Sequence, residues 1–382
     1  MLQTRVVSDQ TGLLDLKNQW HELLARSNAT SPFLTWEWIS SWWRIMSDKN
    51  QELFVICVMT ESGELLAIVP FLRKVDRACG IPASILEFIG ADDDTCADYM
   101  DLIVSHRDLD AVADSLLQYF QREGTEKWDV ILLSGIPQTG NFRTLVHRFA
   151  AHKYEVREQS LDACPYIDLP EKWEDYLSGL SKKSRYNVGK KRRNLDQVCK
   201  NRFHLLVAGD DLDAALERNC ELQKKRLEMK GIDRSSKDTR FYELQSAVAR
   251  EFHRKGWLFL GVLEANGRTV ASQYAFRWRN KVFHYQTGFD PEFERYSVGL
   301  ISTGFMIETA IGEKLTEYDF LRGREDYKYH WAKQEREIFS CYIGNKNYRS
   351  RLFTRRTELI RTIKTSTRNL FRGDSRRTGT PE

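Results

Sequence analysis

The sequence predicts a mixed α/β (α+β) chain made of two tandem units, each a mixed, twisted sheet flanked by helices. Three observations carry this. Apolar strand-like runs alternate with helix-length amphipathic segments along most of the chain. A hairpin pattern occurs twice at a fixed separation. The stretch from Val282 to Trp331 reads as a strand (VFHYQTGFD), a turn (PEFERYSVG), a helix (LISTGFMIETAIGEK), a second strand (TEYDFL) and a polar cluster (RGREDYK).

In chain order, periodicity predicts helices over 11–26 and 35–46, a hairpin over 54–73, and strands near 85–89 and 100–104. A helix near 109–122, a strand over 129–135, a helix over 141–151 and a strand over 153–159 follow. The second half predicts a strand near 164–169, a short helix near 172–178, a basic helix over 181–200 and a strand over 202–208. Helices over 210–229 and 238–254, a second hairpin, the 282–331 unit and a strand near 336–344 complete it. Trp36, Trp38, Trp42 and Trp43 keep helical spacing and are expected in the core rather than on a sugar platform. Units are expected at 1–163 and 164–347, with a basic amphipathic helical tail over 348–382.

The repeat joins FVICVMTESGELLAIVPFLR (54–73) to LFLGVLEANGRTVASQYAFR (258–277). Val58 and Val262, Gly63 and Gly267, Ala67 and Ala271, and Arg73 and Arg277 match at a constant offset of 204. Each copy is two apolar strands around a polar turn with glycine, follows helical sequence and precedes a strand–helix–strand unit. That context points to duplication.

Composition narrows the function. The seven cysteines never form a C-x-x-C pair, which argues against a disulfide scaffold or zinc site and for a reducing compartment. No metal is expected, and the histidines lack ligand spacing. No apolar run reaches membrane-spanning length and the first residues carry no signal-peptide pattern, so the cytoplasm is the expected location. The net charge of +4 is segregated: residues 349–382 hold ten Lys/Arg against three Asp/Glu. A second block, Lys182 to Arg202, holds nine Lys/Arg against Asp196 alone. These are local interaction surfaces on a near-neutral body, which is not a general nucleic-acid binder.

In the 282–331 unit the helix start leaves backbone N–H groups without intrahelical partners and adds the positive end of the helix dipole. Arg295 and the N–H groups of Ser297, Val298, Gly299 and Leu300 are therefore candidates to hold a pyrophosphate, the alternative being a helix start capped by Ser297. Asp319 ends an apolar strand, where burial raises a carboxylate toward the range of a general base. Its alternative is to bind backbone N–H groups. His284 and Gln286 are expected on one face of strand 282–289, with Phe283, Tyr285 and Thr287 on the other.

GFDPEFERYSVG at 288–299 and DFLRGREDYKYHW at 319–331 resemble the CelD-like branch of the GNAT acetyltransferase superfamily (a BioF2-like acetyltransferase domain), a branch related in fold to the Fem-type aminoacyltransferases. SPFLTWEWISSWW (31–43) and SKKSRYNVGKKRR (181–193) fit the same pattern. The resemblance implies two tandem GNAT-like domains, with the acyl donor in the second. It implies acetyl-CoA or another acyl-CoA as co-substrate at 295–300, although this chain has one extra residue between Arg295 and Gly299 and Leu300 where a small residue is usual. It places Lys328 at the lysine of the Fem-type F-K element, with Tyr327 and Glu325 in the same cluster. The lysine would stabilise an oxyanion or bind a phosphate, or simply pair with Glu325. It sets His284 on the strand that faces the thioester, where a histidine serves as base or as a satisfied structural residue. Arg185 and Asn187 would lie near the acceptor, or on a solvated helix face.

The expected activity is acyl transfer to an amine or hydroxyl of a sugar, polysaccharide or cell-envelope precursor, nucleotide-linked or lipid-linked, without a covalent enzyme intermediate. Two rivals remain: an aminoacyltransferase using charged tRNA, with the basic segments as RNA surface, and a degenerate scaffold whose tail lies on the anionic inner face of the membrane.

Overall fold

The computed structural model describes residues 2–77, 82–92, 94–122, 125–229, 231 and 238–356. The first half runs β1 (Gln3–Val7), α1 (Gln10–Asp15), α2 (Lys17–Arg26), α3 (Trp36–Met46) and the hairpin β2 (Gln51–Met59)–β3 (Leu65–Asp76). It continues with β4 (Ala83–Phe88), the short β5 (Ile103–Val104), α4 (Leu109–Gln121), β6 (Val130–Pro137), α5 (Phe142–Ala151) and β7 (Glu155–Asp168). The second half has α6 (Trp173–Gly179), α7 (Lys182–Val198), β8 (Asn201–Leu205), α8 (Leu212–Met229), α9 (Asp238–Arg254) and the hairpin β9 (Leu258–Ala265)–β10 (Arg268–Trp278). Then come β11 (Lys281–Phe289), α10 (Val298–Gly312), β12 (Glu317–Asp319), α11 (Asp326–Tyr329) and β13 (Gln334–Gly344).

One mixed sheet carries both halves, in the order β1-β2-β3-β4-β6-β13-β7-β12-β11-β10-β9-β8, with β5 beside β3. Read from either edge inward, the order is the same unit twice. Each hairpin is followed by a strand that pairs in parallel with the next: β4 with β6 through residues 85–87 and 130–132, and β11 with β12 through residues 281–283 and 317–319. The last strands are exchanged. β13 lies against β6, β7 lies against β12, and β7 and β13 pair antiparallel at the centre.

The hairpins carry the duplication into detail. Gly63 and Gly267 both take positive φ at the turn, where glycine is least strained. The register slips once in each hairpin, leaving Leu66 unpaired in β3 and Val270 unpaired in β10. Those two bulged residues are themselves 204 apart, the offset of the sequence repeat.

The structure departs from the sequence reading at several places. β1, a strand pairing with β2, was not foreseen. The two strands expected over 153–159 and 164–169 are one long strand, β7, and the boundary drawn between 163 and 164 falls inside it. Pro291–Tyr296 is a short 3-10 helix rather than an open turn. The tail opens as a helix at residue 348 and is described only to 356. Its remainder, including Leu359, Ile363 and Leu370, lies outside the described residues.

Trp36, Trp38 and Trp42 are buried, and the seam between the halves is aromatic. Phe33, Trp38, Phe276 and Tyr285 meet there edge to face or tilted. Arginines lock it. Arg240 donates to Ile45 O and Ser47 O, and Arg279 donates to Ser27 O and Leu24 O. Among the described residues no helix is long and apolar enough to cross a membrane.

Candidate functional site

The β11–β12 ladder ends at Phe283 and Asp319, while β11 runs on to Phe289. Opposite β10 the register slips, so Tyr285 is an extra residue: Tyr274 faces Gln286 and Ala275 faces His284. The bulge breaks the expected alternation. His284 turns toward Tyr318 and Phe320, in the cluster that packs on α10. Phe283 packs on Tyr99, and Tyr285 packs on Trp38 and Phe241, both on the opposite face. Gln286 lines a cavity under α8 and α9. His284 and Gln286, expected together, are therefore parted.

On the α10 face, Ser297 takes a left-handed conformation (φ 58) between the 3-10 helix and α10. Its N–H is spent on Glu294 O at 2.7 Å, and the Leu300 N–H on Ser297 O at 3.0 Å. Two of the four expected phosphate donors are thus used internally. The N–H groups of Val298 and Gly299 have no protein partner among the described residues. Gly299 is half-buried, and a Cβ there would meet the Phe289 ring at 3.4 Å. Ser297 does not cap the helix; its hydroxyl accepts instead from Lys191 Nζ at 2.9 Å. Lys191, on α7, was not singled out in the sequence. The only hint was the density of charge over 181–202. Arg295 is exposed, with its guanidinium 4.7 Å from the Tyr296 ring centroid.

A chain of hydrogen bonds links this turn to β12. Gln273 Nε2 donates to Gly299 O at 3.1 Å, Thr287 Oγ1 donates to Gln273 Oε1 at 2.8 Å, and His284 Nε2 stands 2.9 Å from Thr287 Oγ1. Since that hydroxyl gives its proton to Gln273, His284 Nε2 is the donor, and Nδ1 accepts from the Tyr318 hydroxyl at 3.2 Å. Burial, then the charges of Lys328 and Arg226, push the imidazole down to about 3, so it is neutral with both nitrogens engaged.

On the opposite face Asp319 is fully buried. Oδ2 accepts from the Tyr99 hydroxyl at 2.7 Å, Oδ1 accepts from Leu321 N at 2.7 Å, and Arg336 lies 3.4 Å away. Burial outweighs these partners and raises the carboxyl to about 7. Arg336 is shared with Glu317 and stacks on the Tyr166 ring at 3.9 Å. Arg322 donates to the buried Asp98 through its backbone N–H at 2.8 Å and through its side chain. Cys96, Tyr99 and Leu321 all take positive φ here without being glycine, a concentration of strain of the kind found at functional sites. Tyr99, Asp98 and Arg336 were not foreseen, and Arg322 only as the first residue of the RGREDYK cluster. The acid-rich loop ADDDTCADYMD (91–101) was the available signal.

Lys328 is 3% exposed, and its ammonium has three acceptors: Leu321 O at 3.2 Å, Arg322 O at 2.5 Å and Glu325 Oε2 at 3.0 Å. It is a buried clamp on the turn after β12, not a solvated lysine. Tyr327 is half-buried, and burial pushes its hydroxyl up to about 12. Arg185 is exposed and Asn187 half-buried on α7. Their neighbour Arg192 is tied to α10, donating to Glu308 at 2.7 Å and lying 4.1 Å from the Phe305 ring. Among the described residues no group of His, Cys, Asp and Glu is arranged to hold a metal ion.

Residues 182–329, from α7 through α11, match the family model described as the acetyltransferase (GNAT) domain. Among solved structures, FemX superposes with a TM-score of 0.62 at 11% identity, covering 90% of this chain and 98% of that one. A conserved protein of unknown function from Bacteroides thetaiotaomicron gives 0.53 at 13% identity, covering 89% and 100%. The C-terminal domain of a protein assigned as lysylphosphatidylglycerol synthetase from Agrobacterium fabrum gives 0.50 at 10% identity, covering 91% and 97%. These likenesses are ones of fold. No curated protein matches the chain. The second half therefore carries a GNAT acetyltransferase domain over residues 182–329, which supports acyl transfer as its chemistry.

Proposed function

We propose that the chain transfers an acyl group directly from acyl-CoA, acetyl-CoA in the first instance, to an amine or hydroxyl of a sugar-containing envelope or polysaccharide precursor. The reading rests on one observation: two N–H groups without a partner among the described residues, those of Val298 and Gly299, open α10 beside the end of the β11–β12 ladder, with Lys191 against the same turn. Pyrophosphate oxygens would complete those donors. The acceptor class is suggested only by the resemblance of residues 288–299 and 319–331 to the CelD-like branch.

Asp319 is the base of this scheme, acting through Tyr99. As the acceptor attacks the thioester carbonyl, its proton passes to the Tyr99 oxygen and the Tyr99 proton passes to Asp319. The tetrahedral intermediate then expels CoA thiolate, and the proton leaves with the thiol. His284, neutral and doubly bonded, holds β11 to β12 and to the helix start. Lys328 fixes the turn that presents Leu321 and Arg322, and Glu325 holds Lys328.

The exposed basic residues of α7 favour a second reading, transfer from a charged tRNA, and the whole-chain likeness to FemX fits it. Thermal-shift measurement with acetyl-CoA, a longer acyl-CoA and bulk aminoacyl-tRNA separates the two. Stabilisation by the thioesters supports the first. Stabilisation by aminoacyl-tRNA alone replaces it with the second.

A further inference from the structure

A cavity of about 60 Å³ lies where α8 and α9 cover β11, lined by Gln223, Arg226, Phe241, Tyr242, Gln286 and Thr287 among others. It offers several times the roughly 10–15 Å³ that one water needs. The chain is built to bring α8 this close, because a Cβ on Gly288 would stand 2.8 Å from Leu222 Cβ and 2.9 Å from Gln223 N.

Two donors in this space are short of acceptors. Gln223 is 4% exposed and its Nε2 has no hydrogen-bond partner among the described residues. Arg226 gives one N–H to Thr287 O at 3.0 Å, a small part of what a guanidinium offers. No ion pair joins Arg226 to a carboxylate among the described residues. Its charge is nonetheless felt nearby, helping to keep His284 neutral and acting on Tyr327. Among the described residues, the lining includes no Asp or Glu. A half-buried cation beside a buried, unpartnered amide calls for a small anion.

We infer that this cavity holds a carboxylate carried by the acceptor. The small volume suits a carboxylate better than the larger phosphate, and the guanidinium fork can grip a carboxylate through two parallel hydrogen bonds. The acceptor is its source, because the cavity lies under α8 and α9 on the face where Phe283 meets Tyr99. The turn at Ser297 belongs to the α10 face. The inference rests on the proposed acyl-CoA reading and narrows it: the substrate is an acid that also carries the reacting amine or hydroxyl.

The test uses the full chain with CoA present and sodium acetate, acetamide and inorganic phosphate as probes, followed by ligand-detected NMR and competition. Acetate is expected to bind saturably, with acetamide and phosphate failing to displace it. Arg226→Met should weaken acetate at least tenfold. Gln223→Leu should weaken it several-fold without lowering the thermal midpoint, since it removes an unpartnered buried amide. No acetate binding to the parent chain overturns the inference. So does acetamide or phosphate binding as tightly as acetate, or acetate affinity unchanged in Gln223→Leu and in folded Arg226→Met. CoA is titrated separately. Absence of CoA binding sinks the donor reading while leaving the acetate result to stand or fall by itself.

Discussion

Asp319 is a carboxylate whose partners do not offset its burial. Tyr99, Leu321 N and Arg336 all favour the charged form, yet burial raises the group to about 7. Asp319→Asn keeps the shape and removes the proton acceptor, and should lower turnover by roughly two to four orders of magnitude. It also carries a stability signature. A carboxyl raised from 3.8 to about 7 binds more protons folded than unfolded, so its contribution declines as pH rises through that window. Relative to Asp319→Asn, the parent chain should lose stability between about pH 4 and pH 7 in denaturant titrations; a flat difference would deny the raised value. Lys328 makes the opposite case. Lys328→Ala strips a donor from two carbonyls and from Glu325, and should cost about 1–3 kcal/mol in stability. An Asp at a strand end was legible in the sequence, but its phenolic partner lies 220 residues away in an unstructured-looking loop, beyond any local pattern.

At the scale of elements, the donor turn depends on α7. Lys191 places its charge on Ser297, so Lys191→Gln should weaken CoA several-fold and leave folding intact; unchanged CoA affinity by calorimetry would remove α7 from the donor site. Helices, hairpins and the strand–helix–strand unit were legible because apolar periodicity survives in each. The bulge at Tyr285 was not, since VFHYQTGF alternates as any strand does and the extra residue appears only against β10. It parts His284 from Gln286, which the strand alternation alone would put on one face. The sequence pattern splits β7 in two because its middle, REQSLD at 157–162, is polar and mostly exposed despite its pairing with β13.

At the scale of the molecule, the duplication was visible as a hairpin repeat, but the exchange of β7 and β13 was not. Sequence order gives no sign that a unit's last strand completes the other unit's sheet. The same closure reaches into the tail. Tyr342 bonds Ser350 at 3.1 Å, and Arg356 pairs with Asp76 at 3.1 Å. A chain cut after residue 347 should therefore melt lower than one cut after 356. If the tail lies on membrane, the full chain should co-sediment with anionic vesicles in a salt-sensitive way, and the chain cut after 356 should not.

The central claim is that the start of α10 holds the pyrophosphate of an acyl-CoA donor. Calorimetric titration of CoA into the parent chain and into Gly299→Val tests it most directly, with the apo melting curve of each as control. A Cβ at residue 299 already meets the Phe289 ring at 3.4 Å, and the branched side chain would fill the approach to the two N–H groups. The account predicts saturable binding to the parent, worth about 2.7 kcal/mol of stabilisation at a hundredfold excess over Kd. It predicts no measurable binding to a folded Gly299→Val. Equal affinity in both chains would contradict it and move the donor elsewhere on the molecule.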